Sequence, residues 1–133
     1  MANEAVKSYD ESSGSGGVIQ DYTVADGTGI EKGTVLRLTD PRTASATNTV
    51  GEALAGIAAR EKVASDGRTR LSVYKKGYFE MKASGAITVG DAVVSATSNF
   101  VQRPVGAASG AQVLGYAEET ATDGEVILVR VDL

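Results

Sequence analysis

The side chains that could carry out acid–base chemistry in this sequence are carboxylates, lysines, tyrosines and serines. The 133 residues include no histidine and no cysteine, so the commonest general base and the thiolate nucleophile are both missing. A glycosidase-like site needs two carboxylates that face each other across roughly 5–9 Å. Glu118 and Glu119 are neighbours on a predicted strand and point to opposite faces, while Asp66 and Asp123 each precede a turn glycine. We therefore predict that the protein is not an enzyme.

Three further patterns resemble functional motifs but have a structural explanation. Ser72 lies close in sequence to Lys75 and Lys76, but a strand serine beside solvated lysines does not make a catalytic dyad. Residues 14–17 are rich in glycine and lack the strand and the Gly-Lys-Ser/Thr ending of a phosphate loop. The acidic side chains of residues 21–31 are too widely spaced for a calcium loop. The sequence predicts no metal and no cofactor.

The charge and the aromatic content argue against nucleic acid as a partner. The formal net charge is −4 and the pI is near 4.8, whereas nucleic-acid binders concentrate positive charge on one patch. The cations are spread singly, apart from Lys75–Lys76 and the pair Arg68 and Arg70. Five Tyr, two Phe and no Trp offer few stacking platforms. No apolar run approaches the roughly 20 residues of a membrane span, so we expect neither nucleic acid nor a membrane as partner.

The elements that must position these side chains form a repeated pattern. Three segments of the first half align with three of the second half at spacings of 57, 59 and 57 residues. The aligned pairs are 29–36 with 86–93, 55–58 with 114–117, and 65–73 with 122–130. Such self-similarity indicates duplicated structural units. We predict one β domain over residues 30–133, made of two repeats, 30–84 and 85–133.

Each predicted repeat contains two turns. Gly33 and Gly90 lead into the first strand of their repeats. Asp66-Gly67 and Asp123-Gly124 separate the second strand from the third. Asp-Gly between β-rich segments is a strong hairpin signal because a type I′ turn requires positive φ. We assign all six residues to structural turns.

The strand patterns predict an all-β fold, a small barrel-like or sandwich-like body of two similar halves. Residues 125–131 are mostly branched and apolar, and residues 68–74 alternate between polar and apolar side chains. Residues 49–60 are rich in alanine and could favour a helix, but two glycines and the aligned segment 112–118 favour a strand. At most one short helix is expected, within residues 42–54.

The N-terminal residues 1–29 differ from the rest and are predicted to be an arm. Residues 12–17 form a Gly/Ser-rich linker, and the β-rich residues 18–24 lead into the first strand. The arm is either loose in isolation or becomes ordered on a partner. The start of the chain lacks the layout of a signal peptide, so we expect synthesis in the cytoplasm.

Four passages together resemble small tailed-phage head proteins, the capsid decoration or cement proteins, broadly of the lambda-type head-stabilising family. They are the opening residues 1–7, the Ile-x-x-Gly-Thr-Val-Leu turn at 30–36, the Ala-Gly-Ile-Ala strand at 55–58 and the passage 76–91. The resemblance covers nearly the whole chain and is carried by turn and strand patterns. Two halves within one chain are a departure from the smallest lambda-type proteins.

The resemblance implies a structural virion protein that binds the outer surface of an assembled capsid and stabilises it. The implied partner is the major capsid protein, and the implied oligomer is a trimer. In such families an N-terminal arm commonly helps to grip the shell. Here the arm offers five apolar side chains as candidate capsid contacts: Val6, Tyr9, Val18, Ile19 and Tyr22.

Two alternatives stay open on the sequence. The Ile-x-x-Gly-x-Val-Leu turn is also similar to that of the β-clip class, which would make the protein a small ligand-binding β domain. It could also be another structural part of a virion, such as a tail or connector protein.

Overall fold

The computed structural model describes residues 5–9, 19–47, 49–106 and 110–133. The predicted all-β fold is confirmed: the described residues form eleven strands and two short 3-10 turns, at Thr97–Asn99 and Gly110–Gln112, with no α-helix among them. The strands are β1 (Val6–Tyr9), β2 (Ile19–Thr23), β3 (Val35–Asp40), β4 (Thr43–Ala46), β5 (Leu54–Ala58), β6 (Arg70–Tyr74), β7 (Lys76–Lys82), β8 (Ala92–Ser95), β9 (Val101–Gln102), β10 (Val113–Ala117) and β11 (Val126–Asp132).

The strands form a closed five-stranded barrel and a six-stranded sheet. The barrel has the order β2-β4-β3-β5-β6, and the sheet has the order β1-β7-β11-β10-β8-β9. Read from β2 in the other direction, the barrel order is β2-β6-β5-β3-β4. This order corresponds strand by strand to β7-β11-β10-β8-β9 in the sheet. A parallel contact between Thr23 and Thr43 closes the barrel, and a parallel bridge between Ala83 and Val101 joins the corresponding ends of the sheet.

Backbone hydrogen bonds also correspond between the barrel and the sheet. Gly33 N–H donates to Ala58 O at 2.9 Å, and Gly90 N–H donates to Ala117 O at 2.8 Å. Both glycines have positive φ, 90° and 89°. The two predicted repeats stay a prediction, which these bonds and the strand orders support. On this evidence the first repeat would begin at β2, ahead of residue 30.

The strand pairs correct the alignment of the third strand by one residue. Leu71 pairs with Tyr22 of β2, and Ile127 pairs with Met81 of β7. Both Leu71 and Ile127 are buried, so β11 lies 56 residues after β6, not 57. The difference falls between the Asp-Gly turn and the strand, where one residue can be lost without moving a side chain out of the core.

The core has two clusters of buried apolar side chains. One fills the barrel and includes Tyr22, Leu36 and Val73. The other fills the second half and includes Phe79, Met81 and Val129. Residues Val35, Leu54 and Ile57 of the barrel strands belong to this second cluster. Shared burial of this kind joins the two halves into one packed body.

Asn99 adds a polar link between the halves. It is 1% exposed, and its side-chain Oδ1 accepts a hydrogen bond from Val35 N–H at 2.8 Å. Its Nδ2 donates to Gly33 O at 3.0 Å. The amide of a residue in the second half thus bonds two backbone groups at the start of β3 and supplies the acceptor for the buried Val35 N–H.

The Asp-Gly turns differ from the predicted type I′ hairpins. Gly67 and Gly124 have positive φ, 83° and 84°, but the aspartates before them do not. The turns lie inside longer connections, residues 59–69 and 118–125. Asp66 Oδ1 accepts a hydrogen bond from Arg68 N–H at 2.9 Å, and Asp123 Oδ1 accepts one from Gly85 N–H at 2.8 Å. The aspartates therefore hold loops in place through their side chains.

The contested segment contains a strand, as the aligned segment suggested. β5 occupies Leu54–Ala58, and β4 lies within the stretch where a short helix was considered. Gly56 has φ 150°, and an added Cβ would collide with Tyr74 O. A Cβ added at Gly115 of β10 would collide with Arg130 O in the same way. Close approach of neighbouring strands, and not helix propensity, explains these glycines.

The first described residues are paired with the body and are not a loose arm. β1 runs antiparallel to β7, with Val6 opposite Glu80 and Lys7 opposite Phe79. Ala5 is buried, and its N–H donates to Gly33 O at 2.8 Å. The linker at 12–17 lies outside the described residues.

Candidate functional site

The five predicted contact residues lie in different places. Val6 and Tyr9 are part of β1 at the outer edge of the six-stranded sheet. Val18 lies outside the described residues. Ile19 begins β2 and is 47% exposed. The structure thus leaves Ile19 available to a partner on the surface of the barrel.

Tyr22 belongs to the interior of the barrel. It is 8% exposed and packs in the barrel cluster. Its hydroxyl accepts a hydrogen bond from Lys75 Nζ at 2.7 Å, and the same ammonium donates to Ala55 O at 2.7 Å. We therefore leave Tyr22 out of the candidate contact surface, because its side chain stabilises the barrel.

Ile19 lies on the rim of a groove in the barrel surface, which we name the cationic groove. It consists of two adjoining depressions of about 530 and 120 Å³. Both are lined by Arg60, Glu61, Arg68 and Ser72. The larger also contacts Ile19, Lys32 and Tyr74, and the smaller contacts Asp21 and Arg70.

Four cations of this groove have no ionic partner among the described residues. Lys32, Arg60, Arg68 and Arg70 are all exposed, and no ion pair or side-chain hydrogen bond within the described part of the chain involves them. With Lys62, which also lines the smaller depression, five cations and two carboxylates give the groove a net charge of +3. Since the whole chain carries −4, the remainder carries −7.

Beneath the groove lies a buried lysine that does have partners. The Lys62 side chain is 1% exposed, and its Nζ lies 2.8 Å from Asp66 Oδ1 and 3.1 Å from Asp26 Oδ1. It also donates to the carbonyl oxygens of Asp26 and Val63, each at 2.8 Å. Four oxygens thus surround one ammonium and tie the loop after β2 to the loop before β6.

These contacts shift the pKa values of both partners. Burial pulls the pKa of Lys62 down, but the hydrogen bonds to Asp66 and Asp26 outweigh it and raise the pKa above the usual lysine value. The hydrogen bond from Lys62, followed by that from the Arg68 N–H, lowers the pKa of Asp66. Both groups are therefore charged at neutral pH, which is typical of a structural ion pair and not of a proton-transfer site.

The structure separates the residues that could suggest catalysis. Ser72 Oγ donates to Asp21 Oδ1 at 3.1 Å, while Lys75 points to Tyr22 and Lys76 pairs with Asp132. No group of three or more acidic side chains within the described ranges could hold a metal ion. No described helix is long and apolar enough to cross a membrane.

The sequence identifies a pair of the groove's cations but not the groove. Arg68 and Arg70 were noted as a pair, and alternate residues of a strand lie on the same face. Lys32 and Arg60 were not connected with them, because they join the groove only through the fold. The Gly33 N–H to Ala58 O bond places the turn of Lys32 beside the end of β5, next to Arg60.

Two comparisons with known proteins found a match, one to a fold and one to a family. The fold is similar to the N base of the head fiber gp8.5 of bacteriophage phi29, whose crystal structure superposes with a TM-score of 0.55 at 16% identity, over 86% of this chain and 93% of that chain. At this identity the likeness shows a shared fold. A search of curated protein sequences returned no match. The family model described as phage cement protein matches residues 14–133. The chain therefore belongs to the phage cement protein family.

Proposed function

We propose that the protein binds the outer surface of an assembled phage capsid and stabilises it. The observation that carries this proposal is the match of the phage cement protein model to residues 14–133. The all-β body contributes a rigid, well-packed surface with many satisfied backbone groups. A protein that binds the shell but not its separate subunits shifts the equilibrium toward the shell by mass action.

The proposed partner is the major capsid protein, and the proposed assembly of the bound protein is a trimer. A capsid presents the same surface many times, so modest affinity at each contact is sufficient for a large total effect. The trimer is supported by the resemblance of the sequence to the lambda-type head-stabilising proteins.

We further propose that the N-terminal segment contributes to the grip through Val6, Tyr9, Val18 and Ile19. β1 is the outermost strand of its sheet, and an exposed strand edge is suited to pairing with a segment of another chain. Ile19 adds an exposed apolar side chain at the entrance of the barrel. Ile19→Ser tests this part, because loss of an exposed side chain leaves the fold stable.

The experiment adds purified protein to expanded heads that lack decoration and measures cosedimentation and the melting temperature of the heads. The proposal expects saturable binding and a rise in melting temperature. Heads that already carry their full complement of cement protein serve as the matched control and should bind no more. Failure to bind, with no rise in melting temperature, would contradict the proposal.

A further inference from the structure

Four exposed cations without ionic partners converge on one groove of an otherwise acidic protein. Arg70 begins β6, Arg60 and Arg68 lie in the connection between β5 and β6, and Lys32 lies in the turn before β3. These cations outnumber the two carboxylates of the groove, and like charges placed together repel one another and cost stability in the free protein. Their concentration is therefore better explained by a partner than by the fold.

We infer that the cationic groove binds an acidic segment of the protein partner, in which two or three Asp or Glu side chains pair with these cations. The inference rests on the proposed function and names the chemistry of the contact with the capsid subunit. Arginine is suited to this role because its planar guanidinium binds carboxylates through two parallel hydrogen bonds. The groove supplies three such side chains within one surface.

The size and composition of the groove favour a short protein segment over nucleic acid. A nucleic acid presents a continuous line of phosphates and needs a long basic track. Here the rest of the protein carries −7, and Glu61 and Asp21 lie within the groove itself. These two carboxylates repel a uniform polyanion but accept a segment of mixed sequence.

The rim of the groove indicates an apolar residue next to the acidic ones. Ile19 is 47% exposed at the larger depression, and Tyr74 lines the same depression. An apolar side chain placed there would cover Ile19, while neighbouring carboxylates reach Arg60 and Arg68. The inferred segment therefore combines acidic residues with one apolar anchor.

The decisive variant is Arg60→Glu/Arg70→Glu. Its matched control is Arg42→Glu/Arg103→Glu, which changes the net charge equally at exposed positions outside the groove. In cosedimentation with undecorated heads, the groove variant should bind at least about tenfold more weakly, and the control should stay within about twofold of the unmodified protein. Arg60→Gln/Arg70→Gln should fall between them, at about threefold.

The outcomes separate the inference from the proposed function. If the unmodified protein does not bind heads, the proposed function fails. If it binds and the groove variant binds as well as the control variant, the inference fails alone. Unchanged melting temperatures of the free variants exclude misfolding as the cause.

A second measurement tests the partner's chemistry without heads. NMR of the arginine side chains, in about 20 mM salt to limit screening, follows titration with a mixed hexapeptide of three glutamates, one leucine and two glycines, and with hexathymidylate. The inference expects larger shifts at Arg60 and Arg68 with the mixed hexapeptide, which added salt abolishes. A stronger response to hexathymidylate overturns it. An oligomer that dissociates in the groove variant also overturns it, since a second copy would then occupy the groove.

Discussion

The two halves of the molecule share a strand order but differ in how they use charge at the same place. In the first half, Lys32 lies in the turn before β3, Arg60 follows β5 and Arg70 begins β6. The residues at the corresponding places of the second half are Val89, Glu119 and Val126. One half thus presents free cations where the other presents apolar side chains and a carboxylate.

The carboxylates of the second half are used internally. Glu119 Oε1 accepts a hydrogen bond from Leu128 N–H at 2.8 Å. Glu125, which follows the Asp-Gly turn as Arg68 does in the first half, accepts bonds from the N–H and hydroxyl of Thr122 at 2.6 and 2.8 Å. The second half uses these side chains to hold its own loops, whereas the side chains of Arg60, Arg68 and Arg70 in the first half make no such bond within the described residues.

The loops are anchored differently as well. In the first half the ammonium of Lys62 joins Asp26 and Asp66. In the second half the place of Lys62 is taken by Ala121, which is buried and bridges to Ile87. The same fold therefore tolerates a buried ion cluster or a small apolar side chain at this position. The strand order therefore determines where the loops run, while the residues of the loops determine the chemistry of the surface.

The largest effect is expected where the two halves agree. Gly115→Ala would place a Cβ against Arg130 O and 2.9 Å from Val131 Cα, so β10 and β11 would have to separate. We expect a loss of about 3–5 kcal/mol in the free energy of unfolding, measured by urea denaturation. Gly56→Ala should cost a similar amount. Gly110→Ala is the control, since open space surrounds an added Cβ there. Equal stability of Gly115→Ala and the control would contradict the close approach of the strands.

The next effect distinguishes the halves. Lys62→Met removes the buried ammonium and leaves two carboxylates facing each other, so the melting temperature should fall by about 10 °C in a thermal scan. Lys76→Met in the second half removes a lysine that is 40% exposed and pairs with Asp132, and it should change the melting temperature by no more than about 2 °C. Similar values for the two variants would show that the buried cluster adds nothing beyond a surface pair.

The link between the halves should be worth somewhat less. Asn99→Ala leaves the Val35 N–H buried without an acceptor and removes the donor to Gly33 O. We expect a loss of about 2 kcal/mol in unfolding free energy. Hydrogen exchange at Val35 should increase, because its amide loses its protecting bond. Asn99→Asp retains the acceptor for the Val35 N–H but not the donor to Gly33 O. It should therefore restore the protection of the Val35 amide from exchange more than the free energy of unfolding, which distinguishes the contributions of the two bonds.

Much of the fold follows from the sequence, because strand periodicity and turn glycines are local signals. Residues 125–131 predict β11, which lies at Val126–Asp132, and Gly33 and Gly90 mark turns with positive φ. The form of the Asp-Gly turns is not local: Asp66 serves the buried ammonium of Lys62, and this contact depends on tertiary packing. The pattern of β1 was missed because pairing with β7, and not propensity, makes it a strand.

The candidate site was less predictable for the same reason. Ile19 is exposed and Tyr22 is buried, although both belong to one predicted strand. An odd separation on a strand places them on opposite faces, and closure of the barrel decides which face is inside by turning Tyr22 inward to Lys75. Lys32 and Arg60 are 28 positions apart in the sequence and meet only because β3 and β5 are neighbours. Contacts between residues so far apart are set by topology, which a single sequence does not show.

The smallest expected effect is a change in stability at low pH. It involves one carboxylate from each half. The pKa of Asp66 is lowered by the hydrogen bond from Lys62, and that of Glu125 by the N–H and hydroxyl of Thr122. A carboxyl whose pKa is lower in the folded protein stabilises it above the ordinary pKa, and this contribution is lost as the pH falls through the folded value. The difference in melting temperature between the unmodified protein and Asp66→Asn should therefore be constant from about pH 5 to pH 8 and shrink below about pH 4.

Glu125→Gln should show the same trend with a smaller difference, since the glutamine oxygen still accepts hydrogen bonds from Thr122. The raised pKa of Lys62 gives the opposite sign at the alkaline end: its contribution is complete below pH 10.5 and is lost as the pH rises through the folded value. Thermal scans between pH 3 and pH 11 measure both limits. If the difference for Asp66→Asn did not change with pH, the aspartate would stabilise its loop through shape alone, and the ionic contrast between the two halves would be confined to the cationic groove.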